Sequence, residues 1–461
     1  HGRLNPNRIV RPPKMDDRSL FRYAPDYAGV PFEAALDWSG YEGVGGGLQG
    51  AVEMCNNNGA CRKLADGVMC PSYRATRNER DVVRGRANTL RLALTGQLGP
   101  DAMGSHAMAE TMKLCVGCKA CKRECPMSVD MAKMKIETTA AHVRAHGLSL
   151  KDRLIAYLPR YAPYAAKARR AMNLRNRFKP LAKLLEGPTG MTADRPLPEW
   201  RRPFKAPDTA VGPAGGDPIL LFVDSFTTYF EPENAEAALR VLAAAGYRAQ
   251  VARAGDDDRP LCCGRTFLTA GLVDEARAEA RRTLKALSAA AATGAPIVGL
   301  EPSCLFTLRD EFRSMLPGPE TDRLAAAASM IEDRLADRIE SGHLALPDRG
   351  PRTALLHGHC HQKANAAMGP VEKVLRAAPN MTVETVATSC CGMAGAFGYD
   401  RETVDVSMKM ADANLLPAVR AADDETLIVA DGTSCRHQIA DGAGREARHV
   451  VRVLDDLLAA S

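Results

Sequence analysis

The chain has 461 residues, of which 46% are hydrophobic and 25% charged. That composition excludes a disordered polypeptide and leaves room for two or three domains with cores of their own. The net charge is +6, from 61 basic and 55 acidic side chains, and the basic residues are not interleaved with aromatic ones, so no nucleic-acid partner is expected. The longest uncharged apolar run, 287–300, is shorter than the roughly 20 residues of a membrane span.

In chain order, the opening HGRLNPNRIVRPPK (1–14) ends in a proline pair that marks a boundary. No signal peptide opens the chain, and a start at His1 rather than Met reads as the C-terminal piece of something longer. Residues 15–150 form one unit: a loop-like aromatic stretch, a flexible GVGGGLQG, then seven cysteines set between helical segments at 77–98 and 131–146. The Gly stretch lacks the Lys-Ser/Thr ending of a phosphate loop and the GxGxxG frame. Residues 151–217 comprise a basic helical segment (Lys167, Arg169, Arg170, Arg175, Arg177, Lys179) and a Pro/Gly linker from 186. A solvated helix face is the ordinary reading of such a charge run, and a docking surface for an acidic partner or anionic lipid heads is its rival.

From 218 the pattern changes to apolar runs alternating with Ala-rich amphipathic helices. Strands are expected at 219–223, 296–300, 353–358, 383–388 and 426–430, and helices at 235–245, 273–292 and 371–377. This βαβα order implies parallel sheets. The pattern occurs twice: ILLFVDSF, LCCG and PSCLF are followed by TALLHGHC, SCCG and TSCRH. The fold class is therefore α/β overall: a helical domain, ferredoxin-like and iron–sulfur in type by its run CVGCKACKRECP (115–126), then two tandem pseudo-repeated α/β cysteine-rich domains with parallel sheets, at 218–347 and 348–461. Every cysteine of this half falls in a CCG loop or near the carboxyl end of an expected strand, where open α/β sheets carry their sites.

Fourteen cysteines are the most informative feature. They are clustered in a long chain without an export signal, which points to cytoplasmic metal or redox chemistry rather than a disulfide scaffold. The run CVGCKACKRECP fits C-x2-C-x2-C-x3-C-P through Cys115, Cys118, Cys121 and Cys125. Three thiolates on tight turns hold one cluster, and the fourth, before Pro126, is carried toward another. Zinc sites instead use two separated C-x2-C knuckles. The partner segment CNNNGACRKLADGVMCP supplies Cys55, Cys61 and Cys70, with Asn58 where a middle cysteine would stand. Crossing assigns Cys70 to the cluster of Cys115, Cys118 and Cys121. Cys55, Cys61 and Cys125 are left for a second site that is one thiolate short. One or two 4Fe-4S clusters follow, the second being a [3Fe-4S] cluster, a cluster with a non-Cys ligand, or absent.

Adjacent cysteines do not readily bond to each other and suit a metal site better. The first CCG copy offers Cys262, Cys263 and Cys304, with Ser225 where the repeat places Cys360. The second offers Cys360, Cys390, Cys391 and Cys435. His357, His359 and His361 alternate around Cys360, and on a strand all three would share one face. They and His437 read equally as ligands, proton carriers or ordinary histidines, with His359 counted among the CCG candidates. Glu301, three before Cys304, reads as a buried acid or, more ordinarily, as a helix cap.

These motifs resemble the iron–sulfur half of FAD-linked D-2-hydroxyacid dehydrogenases, the glycolate oxidase, D-lactate dehydrogenase and D-2-hydroxyglutarate dehydrogenase group. The CCG units are similar to the cysteine-rich domain of heterodisulfide reductases, and HGRLNPNRIV resembles the closing signature of an FAD-linked oxidase domain. The resemblance implies a covalently continuous FAD-binding domain that oxidises the hydroxy acid, and electron transfer through this chain to a quinone, cytochrome or flavoprotein. It also implies a cytoplasmic protein, with peripheral contact on the inner face of the membrane as a further expectation. The fragment alone would not act on the hydroxy acid. Each CCG copy closes on a single Cys rather than C-x2-C, so the second copy is open to a further cluster or to zinc through Cys and His. A thiol–disulfide redox module and a zinc-stapled assembly scaffold are the competing functions.

Overall fold

The computed structural model describes residues 11–14, 28–41, 45–255 and 259–459. The expected FAD-oxidase signature at 1–10 and most of the aromatic stretch that follows lie outside them. The first 190 residues are helical among the described positions, and everything after is α/β with two four-stranded parallel sheets.

The cysteine-bearing helical part is built on Val83–Leu94, His106–Lys113 and Met131–His146. The helix expected over 77–98 is shorter because Arg77 adopts a left-handed conformation and Val82 is extended, which confines Glu79–Asp81 to a separate 3-10 turn. The basic segment is not one helix. It breaks into Leu150–Ala156, Leu158–Lys167, Arg169–Met172, Leu174–Arg177 and Lys179–Thr189. Arg175 of that run is buried, and its guanidinium donates to the carbonyls of Arg195 (3.1 Å) and Thr192 (2.5 Å). The Pro/Gly linker is pinned as well. The buried Arg195 reaches Asp441 (2.5 Å), Gln438 (2.6 Å) and the carbonyl of Gly398 (3.0 Å).

The first sheet comprises β1 (Asp217–Phe222), β2 (Tyr247–Val251), β3 (Ile297–Gly299) and β4 (Ala328–Met330), in the order β2-β1-β3-β4. The second comprises β5 (Arg352–Leu356), β6 (Met381–Thr385), β7 (Leu427–Val429) and β8 (Ala447–Arg448), in the order β6-β5-β7-β8. The two orders are the same, with Phe222 in register with Gly299 and Leu356 with Val429. The central strands are apolar on both faces, as helices covering a parallel sheet on both sides require. One hydrophobic core runs through both sheets, joining Leu221 and Val298 to Ala354, Leu356, Val429 and Leu454.

This register brings the carboxyl ends of the strands together. Cys360 begins the helix after β5, the CCG loops follow β2 and β6, and Cys304 and Cys435 open the helices after β3 and β7. The glycine of each CCG triplet is required by geometry. Gly264 and Gly392 have φ of 77° and 84°, and a Cβ on Gly392 would stand 2.2 Å from the Ser407 carbonyl oxygen. We expect Gly392→Ala to destabilise the protein by about 3 kcal/mol, combining the left-handed backbone cost with overpacking, measured by urea unfolding at pH 7.

An ion pair also crosses between the halves. Arg436 donates to Glu231 from Nε (2.8 Å) and again from Nη2, and the Thr433 hydroxyl adds a bond of 2.6 Å. Burial alone would raise the Glu231 carboxyl, but the Arg436 guanidinium outweighs it and holds the group at about 2 rather than 4.5. A depressed carboxyl stabilises the fold above its unfolded value and loses that contribution as pH falls through the folded one. Wild-type stability should therefore decline between pH 4.5 and about 2. Arg436→Met should cost about 3–5 kcal/mol at pH 7 and flatten that acid limb, as read by denaturant midpoints across the pH range.

Candidate metal centres

The ferredoxin-like motif folds as a tight turn leading into a short helix. Cys115 follows His106–Lys113, and Cys121 lies within Ala120–Glu124, with Cys125 at its end. Gly117 and Lys119 both take left-handed conformations, with φ of 62° and 61°. Lysine adopts this at a cost, offset here by its buried ammonium, which contacts Asp130 (2.9 Å), Asp310 (3.0 Å) and Glu311 (3.4 Å). The last two belong to the first α/β half, so the turn is clamped from outside its own domain.

Cys70 caps the helix Pro71–Thr76, and it shares a cavity with Cys115, Cys118 and Cys121. These are the four residues that the crossing rule groups together. Burial pushes Cys118 up, helped by its neighbours Cys390, Cys121 and Cys70, and Cys121 is raised for the same reason. Four thiols on one cavity cannot ionise together without a compensating cation, and a 4Fe-4S cluster supplies that charge. The donor set and the enclosure therefore fit such a cluster. The fully buried Arg86 lines the same cavity, bonded to the Thr111 carbonyl (3.1 Å) and the Ser72 hydroxyl (3.2 Å), with Nη1 4.0 Å from the Cys70 sulfur.

Cys55, Cys61 and Cys125 also come together. Cys55 is raised by burial with Cys125 beside it, and Cys61 by burial with Cys70 and Cys55 as neighbours. Asn58, in the place of the missing cysteine, is exposed and occupied as a turn residue. Its Oδ1 accepts from the Ala60 amide (2.9 Å), and its amide donates to Asn56 (2.6 Å).

Both CCG copies place their cysteines in contact. In the first, Cys262 and Cys304 donate toward Cys263, holding that sulfur well below the usual thiol range while their own values rise. In the second, Cys360 and Cys391 act the same way on Cys390, and Cys391 also meets Cys435. Asp224, unremarkable in sequence, caps the helix Ser225–Tyr229 beside the first set. Burial and the charge of Glu301 push it up to about 7. Ser225, in the position of Cys360, is buried, and its hydroxyl has no partner.

The three alternating histidines do not share a strand face. β5 ends at Leu356 and a helix starts at Cys360, so the strand period never applies to them. His359 is that helix's cap, its Nδ1 accepting from the His361 amide (3.2 Å). His361 accepts from Arg265 (3.0 Å) and lies 3.2 Å from the Gly117 carbonyl. His357 offers a ring nitrogen that lies within 4.8 Å of the Cys391 and Cys435 sulfurs, and His359 neighbours Cys390. His437 pairs instead with the Tyr399 hydroxyl (3.1 Å). Glu301 is a helix cap, as its ordinary reading holds. A second buried group, Glu332, Asp431 and His449, lies on the seam between the halves. Asp431 and His449 there cap the helix that opens at Val450, accepting from its first two amides. Arg86, Arg265, Lys119 and Asp224 carried no sequence signal beyond their charge. Only the adjacency of Arg265 to a CCG triplet hinted at a role.

Residues 51–129 match the 4Fe-4S dicluster domain family, and 224–309 and 354–440 each match the cysteine-rich domain family. D-2-hydroxyglutarate dehydrogenase of Pseudomonas putida is 27% identical over 98% of this chain and 47% of its own length. One subunit of the anaerobic glycerol-3-phosphate dehydrogenase of Escherichia coli is 24% identical over 72% of this chain and 81% of its own. A probable glycolate oxidase iron-sulfur subunit of Bacillus subtilis is 24% identical over 82% and 87%. The chain spans about half the length of the D-2-hydroxyglutarate dehydrogenases it matches. With a cluster-type cavity and a duplicated α/β unit in hand, these matches agree with the geometry. The chain carries a 4Fe-4S dicluster domain followed by two cysteine-rich domains, and it corresponds to the iron–sulfur part of the D-2-hydroxyacid dehydrogenase group.

Proposed function

We propose that this chain is the electron-transfer part of an FAD-linked D-2-hydroxyacid dehydrogenase. Conversion of a D-2-hydroxy acid to a 2-oxo acid releases two electrons and two protons. In this reading an FAD-binding domain of the full protein takes them up, and the present chain delivers the electrons to a quinone, cytochrome or flavoprotein. A 4Fe-4S cluster supplies one-electron redox chemistry when bound. The observation that carries the proposal is the convergence of Cys70, Cys115, Cys118 and Cys121 on one cavity, with Cys390 of the second CCG copy among the neighbours of Cys118.

The protein's own residues set the conditions there. Cys70, Cys115, Cys118 and Cys121 bind. Lys119 fixes the turn. Arg86 places a buried positive charge beside Cys70, which favours the reduced, more negative state of whatever the thiolates hold. Cys55, Cys61 and Cys125 are proposed as the ligands of a second, three-thiolate cluster. A thiol–disulfide module is less well supported, because exchange needs an accessible thiolate and six of the seven CCG cysteines are buried.

We place the protein in the cytoplasm. Among the described residues no helix is long and apolar enough to cross a membrane. The segment 150–189 exposes Tyr164 (71%), Phe178 (56%) and Leu184 (73%) among exposed basic residues, an arrangement suited to the inner face of a membrane.

Cys118→Ser in the full-length protein should remove about four iron per chain and one reduced EPR signal. Flavin reduction by the hydroxy acid should continue while acceptor reduction is lost. Unchanged acceptor reduction would refute the route. Binding to anionic vesicles should weaken by about 1 kcal/mol for each of Lys179 and Lys183 changed to Gln, and equal binding to neutral vesicles would reject the membrane contact.

A further inference from the structure

Three histidines of the helical part, away from every cysteine, stand against one another at its surface. His142 and His146 are four residues apart on Met131–His146, so their side chains leave the same face of that helix. His106 approaches that face from a second element. It is the first residue of His106–Lys113, whose start is fixed by the Ser105 hydroxyl accepting from the Met108 amide (3.2 Å). The ring centroids are 4.3 Å apart for His106 and His146, 4.6 Å for His142 and His146, and 5.0 Å for His106 and His142. His106 and His146 are exposed, and His142 is half-buried.

His142 is held in one tautomer. Its Nδ1 lies 2.8 Å from the Gly104 carbonyl. A carbonyl can only accept, so Nδ1 carries the proton and Nε2 keeps its lone pair. A carbonyl-backed imidazole of this kind is how metal-binding histidines are oriented. Gly104 makes the contact possible, because a Cβ there would stand 2.9 Å from the Ala141 carbonyl oxygen and push the turn Ala102–Gly104 off the helix.

The spacing of the rings is that of a shared ion. With Zn–N at about 2.0–2.1 Å, the centroid of a ligating imidazole stands about 3.2 Å from the metal, and centroids at tetrahedral to right angles stand about 4.5–5.2 Å apart. The three observed separations fall on or just inside that range. An imidazole centroid lies nearly on the Cβ–Cγ axis, and the χ2 torsion about that axis is broad. Turning the exposed rings of His106 and His146 therefore redirects their nitrogens while keeping the spacing. Paired histidines at i and i+4 on a helix, joined by a third, are a donor set that suits zinc, with the fourth position left open.

We propose that His106, His142 through Nε2, and His146 bind one divalent transition-metal ion of the zinc type at the surface of the helical domain, with water as the fourth ligand. The site uses no cysteine, involves no redox change and is independent of the electron-transfer reading.

The test titrates Zn2+ into anaerobically purified full-length protein by calorimetry, with zinc K-edge absorption of the loaded samples. The wild type should take up about one zinc ion more than the double variant His106→Ala with His146→Ala. The ion that makes this difference should have a shell of nitrogen and oxygen without sulfur. His142→Ala should weaken the same site at least about tenfold. The two histidines of the double variant are exposed, so unchanged iron content will show that it folds. His343→Ala, at an exposed histidine of the first α/β half, should keep the full uptake. Equal uptake by the wild type and the double variant, an equal loss in His343→Ala, or sulfur in the shell of the differing ion would each overturn the assignment.

Discussion

The carboxylate of Glu301 joins the two α/β halves at the point where their cysteines meet. One oxygen accepts from the Ser303 amide (3.2 Å) and hydroxyl (2.7 Å), capping the helix that carries Cys304. The other accepts from the Thr433 amide (2.8 Å), at the start of the helix that carries Cys435. A single buried anion thus satisfies the open amides of two helix N-termini, each of which favours negative charge. The second copy cannot supply its own cap. Its equivalent residue is Gly432, where a Cβ would stand 2.3 Å from the His359 ring. The closing cysteines of both copies are therefore positioned by a residue of the first, which makes the pair of domains one structural unit.

The ferredoxin-like part is locked onto that unit by the same kind of contact. Lys119 reaches Asp310 and Glu311 after Cys304, His361 lies against the Gly117 carbonyl, and the Ser389 hydroxyl donates to the Val68 carbonyl beside Cys70. Each tie starts from a residue adjacent to a cysteine, Lys119 beside Cys118, His361 beside Cys360 and Ser389 beside Cys390, and ends in another domain. Buried ion pairs contribute little net stability but enforce a particular arrangement strongly, since separating either partner leaves a bare charge. The arrangement enforced here places three sets of thiols side by side, as short-range electron transfer needs.

Much of this was legible in the sequence because the signals were strong and local. The spacing of Cys115 to Cys125, the repeated CCG and the apolar runs of β1, β3, β5 and β7 each have few alternative readings. The strands that were not legible are β2, β4 and β8. β4 and β8 are edges of only three and two residues, and YRAQV of β2 alternates buried and exposed rather than forming an apolar run. The histidine pattern misled because strand periodicity was extended past Leu356, where the backbone turns into a helix. Glu301 is a buried carboxylate with a partner on another element, Thr433, and Arg86 and Lys119 are buried cations whose partners are likewise remote. Composition reports such charges as surface until the fold supplies their counterparts.

The two CCG copies share a frame but differ in electrostatics, and the difference follows from one cap position. In the first copy the helix after β1 is capped by Asp224, a carboxyl beside Cys263 and Glu301. In the second the corresponding cap is His359, an imidazole, with the Lys363 ammonium close to Cys360, Cys390, Cys391 and Cys435. A carboxylate next to thiols opposes their ionisation, whereas a nearby ammonium favours it. The first copy is also one thiol poorer. Each copy nonetheless holds one lowered thiol, Cys263 in the first and Cys390 in the second, and Cys390 is a neighbour of Cys118. The first copy touches the second through Glu301, Arg265 and the shared core, so the duplicated units keep one frame while their cap positions have diverged.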